Sequence, residues 1–294
     1  MSNANGAPAL PPSLGGQAVI EGVMIRGPRG AAVCVRRPDG EIVCRTQEVA
    51  TSDGPRRTPV LRGVLALTDT LSQGMRAMLW SAQVAAGREP VEASEGQLRL
   101  TTAVSLSMIA GIFMVAPALL SRRIEQRTKR TGLAGLIEGF TRMGVLFGYL
   151  RTVGRLPQAR RLFAYHGAEH RAIQAYEAGD PLEVASLHHY PNAHVRCGTS
   201  FLLTTTMISS VLYAAIGRQP PTRRLLSRLV LTPVVAGLSY EAIRAGGRHP
   251  NGLWRLLFRP NMALQGLTTR DPDEGQMEVA LAAVRAALAL HQPA

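Results

Sequence analysis

The stretch Tyr-His-Gly-Ala-Glu-His, residues 165–170, sets His166, Glu169 and His170 in the order H-x-x-E-H. On an α-helix, positions i, i+3 and i+4 share a face, so both imidazoles can reach one ion. Such a pair suits a divalent metal, zinc above all. A carboxylate beside the ion is placed to take a proton from water. This is the order found in inverted zincins. The plainer alternative is that the two histidines share a helix face and only hydrogen-bond there.

A zinc site needs a third protein ligand. Three residues are candidates: His194 and Cys197, in Asn-Ala-His-Val-Arg-Cys, and Glu241, in Ser-Tyr-Glu-Ala-Ile. Glu241 lies about as far downstream as soluble inverted zincins place their glutamate ligand. His194 and Cys197 are nearer in the chain. Five of the seven histidines fall between 166 and 194, but His188 and His189 sit in a polar stretch and read as solvated.

The elements that must hold these residues read as follows. Residues 1–15 form a disordered lead-in with neither the basic start nor the apolar core of a signal peptide. Residues 16–50 form a β region. There Pro38-Asp39-Gly40 makes a hairpin turn with Gly40 left-handed, Arg37 facing Glu41 and Cys34 opposite Cys44. Both cysteines are expected to be reduced. Residues 51–100 hold an amphipathic helix and a linker. Residues 101–150 form a first pair of membrane helices, 151–197 the histidine-rich site region, and 198–243 a second pair. Residues 244–294 form an amphipathic helical tail, with Asp271 as N-cap and Glu274 closing a capping box.

The membrane expectation comes from composition and length. Hydrophobic residues make up 46% of the chain and charged residues 18%, well below the roughly 25% of soluble proteins. Residues 101–120 and 198–217 are uncharged runs long enough to span a bilayer. Residues 133–150 and 225–243 are further candidates. Glu138 and Arg142, four apart in the first of these, read as a structural ion pair. The fold class expected is therefore mainly α. It is a polytopic membrane protein with about four transmembrane or re-entrant helices and a small N-terminal β element. The net charge of +13 fits anionic membrane lipid as a partner. Nucleic acid is disfavoured, because aromatics are 5% and are not interleaved with the arginines. The expected location is the bacterial inner membrane, multi-pass, with the N-terminal region cytoplasmic.

Four separated motifs, GGQAVIEGVMIRGP, YHGAEHRAI, RCGTSFL and LTTRDPDEGQMEVALAA, resemble the YqhQ-like family of uncharacterised bacterial membrane proteins. The resemblance runs from about Gly15 to about Leu288. It implies a multi-span membrane protein described as a metal-dependent enzyme, with His166, Glu169, His170, His194, Cys197 and Glu241 as the family-like polar positions. Val195 stands where the family tends to have proline. The leading expectation is a metal-dependent hydrolase with Glu169 as base. The alternatives are a non-enzymatic membrane scaffold, with a structural metal or none, and a transporter.

Overall fold

The computed structural model describes residues 14–48, 58, 60–91, 94–117, 119, 123, 126, 134–194, 197–216, 219–248 and 252–290. The lead-in before Leu14, most of the basic run 121–130, Val195 and the Glu138 side chain lie outside what is described.

Four short strands form an antiparallel meander in the order β1-β2-β3-β4: β1 Gly15–Val19, β2 Gly22–Arg26, β3 Gly30–Arg36 and β4 Ile42–Glu48. Alternation along the strands divides the apolar residues between two faces. Val23, Ile25, Ala32 and Cys34 join one core, and Val19, Met24 and Val35 join another. The second face is covered by α1 (Leu61–Ala85), which contributes Ala77, Trp80 and Val84. The first face is covered by α4 (Pro157–Ala178) and the last helix, α9 (Glu274–Ala289).

The remaining helices are α2 (Glu95–Ala110, continued by a π turn over Gly111–Val115), α3 (Ala134–Val153), the single turn α5 (Val184–Leu187), α6 (Gly198–Ile216), α7 (Pro221–Arg248) and α8 (Gly252–Gln265). In this layer α6 packs against α3, α7 and α8. Leu146, Leu150, Leu203 and Leu264 form its small core. The layer meets the sheet half where Gly63 and Gly237 let α1 and α7 approach closely.

Among the described residues 69% are helical and there is one antiparallel sheet, and the expected polytopic membrane fold with about four spans is overturned. Among the described residues a single stretch, Leu226–Gly246, is long and apolar enough to cross a membrane. An uncharged run of span length is a criterion of length and composition only, and helices that pack on each other meet it too. Residues 101–120 do not continue as one α-helix, since α2 gives way to the π turn. Residues 133–150 carry Arg142, buried against the Tyr213 ring 5.0 Å away and beside Ser209. In 198–217, Ser200 and Ser209 are buried and Thr199 bonds Thr268.

Two local expectations also change. Cys34 and Cys44 pair across β3 and β4 with Cα atoms 4.1 Å apart and form a disulfide, not two thiols. Their register is a non-hydrogen-bonded one, where opposed residues come closest. The N-cap of α9 is Asp273, boxed with Gln276, two residues later than expected. Asp271 is already engaged, accepting from Arg171 and Asn192. The hairpin turn follows its residues: Gly40 has φ 93°, and Arg37 N–H donates to the Glu41 carbonyl at 2.8 Å.

Candidate metal centre

Helix α4 starts with Pro157 in its first turn and stops at Gly179, whose left-handed φ of 78° only glycine adopts without strain. Its inward face is built largely of alanine and glycine, so neighbours come close. A Cβ at Gly167 would lie 2.2 Å from the Arg270 carbonyl oxygen, and Arg270 N–H donates to the Phe163 carbonyl at 2.9 Å. The segment after α8 is thereby laid directly across α4.

That segment and Asn192 set the two imidazoles. His166 Nδ1 lies 2.9 Å from the Thr268 carbonyl and His170 Nδ1 lies 2.5 Å from the Asn192 carbonyl. A carbonyl oxygen only accepts, so each Nδ1 carries a hydrogen and each Nε2 is the nitrogen turned toward a metal. This is the outer-sphere bond that orients metal-ligating histidines. Asn192 is itself fixed, accepting from Arg171 Nε at 2.7 Å and donating to Asp271 at 2.8 Å.

Cys197 comes from the residue just before α6. Its Sγ lies 3.3 Å from His166 Nε2 and accepts from Thr199 N–H at 3.3 Å. Ligand atoms of His166, His170 and Cys197 all fall within 4.8 Å of one another. Glu169 Oε2 lies 3.8 Å from His166 Nε2 and 4.0 Å from His170 Nε2. Burial holds the Glu169 carboxyl above the usual range, with His166 and His194 pulling it back. Burial likewise pushes His170 and His194 below the usual histidine value.

The structure separates the expected third ligands. Cys197 joins the two histidines. His194 borders the same cavity, its ring centre 5.7 Å from that of His170, but its Nε2 turns to Glu177 at 3.4 Å. Glu241 is held instead by Arg62, with Nε–Oε1 at 2.6 Å and Nη2–Oε2 at 2.5 Å.

Several contributors escape sequence reading. Fully buried Gln265 accepts from His194 N–H at 2.8 Å and donates to the His194 carbonyl and Ser200 Oγ, tying His194 to the start of α6 beside Cys197. Gly16 of β1 lies against Glu169: a Cβ there would sit 2.4 Å from Oε1. Gly16 and Thr268 lie inside recognisable motifs, but nothing in their residue types points to a metal. Leu14, Gly15, Gly16 and Ile173 join the histidines, Glu169 and Cys197 around a cavity of about 20 Å³, room for about one water-sized species.

The donor set fits zinc. Two imidazole nitrogens and one thiolate sulfur are borderline-soft ligands found at catalytic zinc, and three protein ligands leave a position open. Residues 58–290 match a family described as "Protein of unknown function (DUF1385)". The chain is also similar to Uncharacterized protein YqhQ of Bacillus subtilis (strain 168): 30% identical over 293 residues, covering 92% of this chain and 91% of that one. No solved structure matches.

Proposed function

The chain belongs to the DUF1385 family of proteins of unknown function, and from that premise we propose that it is a zinc-dependent hydrolase. The observation that carries the reading is the pair of backbone carbonyls that set both histidines as Nε2 ligands facing Cys197. His166, His170 and Cys197 would hold the ion, which would supply Lewis acidity toward an acyl carbonyl.

Glu169 acts as the base. Its burial favours the protonated form, so it is a stronger proton acceptor than an exposed carboxylate. In the reaction a water oxygen bonds to the acyl carbon while its proton passes to Glu169. The bond from acyl carbon to leaving group then breaks, and the proton on Glu169 goes to the departing atom. One water is consumed and nothing is oxidised.

Elemental mass spectrometry on protein purified without a nickel column tests the metal. About one zinc per chain is expected in wild type, and next to none in the His166→Ala, His170→Ala double variant. Equal metal in both, or none in wild type, overturns the reading. Glu169→Gln should keep zinc and lose hydrolysis; a purely structural metal would leave function intact in that variant.

A second reading concerns the helical layer. Exposed apolar side chains cluster on α2, α6 and α7, among them Val104, Met108, Val211, Leu226, Leu229 and Val230. The basic run Arg122, Arg123, Arg127, Lys129 and Arg130 follows α2 in the sequence. This combination supports contact with anionic lipid. Co-sedimentation with vesicles that requires anionic lipid supports it; equal recovery without vesicles removes it.

A further inference from the structure

The edge of the sheet beside the metal centre points to a substrate. In β1 and β2, Val19 faces Gly22 across a two-residue turn. Glu21 O accepts from Arg36 N, so odd-numbered residues of β2 turn toward β3. The even-numbered ones, Gly22, Met24 and Arg26, therefore bond to Val19, Gln17 and Gly15. The N–H and C=O groups of Gly16, Ala18 and Ile20 are left pointing away from the sheet. Ile20 N–H is taken up by Ser81 Oγ at 3.2 Å, which fits this register. Among the described residues, no hydrogen bond fills the Gly16 and Ala18 positions.

This open edge runs past the centre. Gly16 is the residue against which Glu169 packs, and Gly15 and Gly16 line the small cavity together with His166, His170 and Cys197. Both glycines are exposed, and the outward N–H and C=O groups of Gly16 and Ala18 lie in the plane in which a neighbouring strand pairs at about 4.8 Å.

The geometry points to β1 as the docking edge for an extended peptide, the substrate of the hydrolase. The inference rests on the zinc-dependent reading given above and adds the substrate class. A polypeptide repeats its donor and acceptor every two residues, as the Gly16 and Ala18 groups do; sugars and lipids do not. The cavity is too small for a substrate side chain, so the scissile carbonyl arrives from the edge. Hydrolysis there adds water oxygen to the peptide carbonyl carbon, moves its proton to Glu169, breaks C–N and delivers the proton to the leaving nitrogen.

The test uses the full chain loaded with zinc and a fluorogenic decapeptide library. Cleavage of at least one peptide is expected. In that peptide, N-methylating the amides that face β1 should lower kcat/KM about tenfold or more, mostly through KM. Methylating the alternate amides should change it little. Ala18→Pro removes one outward N–H at a position where an edge strand accepts proline. It should raise KM similarly with zinc per chain unchanged. Because that variant could misfold, the methylated peptides carry the test on unaltered protein. Indifference to methylation at every position overturns the inference. So does zinc-loaded protein that hydrolyses a simple ester but no peptide, which leaves the hydrolase reading standing. A concentration-dependent dimer lost in Ala18→Pro also overturns it, since a second copy then fills the edge. Absence of zinc overturns both readings.

Discussion

Arg62 grips both carboxylate oxygens of Glu241, joining α1 to α7 by a two-pronged ion pair. Glu241 reads from sequence as a metal ligand, yet the fold spends it on this helix contact. Glu241→Gln should therefore leave zinc per chain unchanged by elemental analysis, while lowering the Tm measured by differential scanning fluorimetry. Loss of zinc in that variant would return Glu241 to the ligand set.

Gln265 holds the backbone N–H and C=O of His194 and also bonds Ser200, tying His194 to the first turn of α6 beside Cys197. Outer groups of this kind change metal affinity by about 10–100-fold when removed. Gln265→Ala should weaken zinc by about that factor in a chelator competition, with Cys197 and both histidines still present. Cys197→Ala should cost more, since it removes a ligand outright.

The buried histidines make the metal-free protein sensitive to acid. Burial holds His170 and His194 below the ordinary value, which is about 6.5. As pH falls through that value the unfolded chain takes up protons that the fold refuses, so stability declines on acidification. Glu169 acts in the other direction. Its raised carboxyl binds a proton in the fold before it does so unfolded, which adds stability as pH falls toward the ordinary carboxylate range. Urea titrations of zinc-free protein between pH 7.5 and 5 should show falling stability, and Glu169→Gln should fall more steeply. A flat profile in both would show that the histidines are not held neutral by burial.

Gly15 and Gly16 both border the cavity, but only at Gly16 would a Cβ meet Glu169. Gly16→Ala drives a methyl into the Glu169 carboxylate, so hydrolysis should drop by about 10–100-fold with zinc retained. Gly15→Ala should behave as wild type in the same assay. Equal behaviour of the two variants would place Glu169 outside the chemistry.

The face shared by His166, Glu169 and His170 is visible in the sequence because helix periodicity alone fixes it. The hairpin around Gly40 is visible for a similar reason, its turn residues allowing few conformations. What lies far apart in the chain is not visible. Arg62 and Glu241 carry no mark of each other, and their pairing depends on how α1 crosses α7. The carbonyls of Thr268 and Asn192 are backbone groups, which every residue type supplies. The uncharged runs misled because length and freedom from charge are needed for a span but do not by themselves make one. The α9 cap shifted because Asp271 has a stronger use at Arg171.

Helix α9 follows every other described element in sequence, yet it lies at the centre of the sheet half, with Met277, Val279, Ala280, Leu281, Ala283, Val284 and Ala287 buried. Arg36 of β3 bonds to Gly275 and Glu278 across separations of 239 and 242 residues. During synthesis on the ribosome the strands emerge long before α9, so Val23, Ile25 and Ala32 lack that part of their cover until it is made. The half that carries His166, His170 and Cys197 thus closes only once α9 has been made, and the young chain depends in the meantime on whatever shields that side of the sheet.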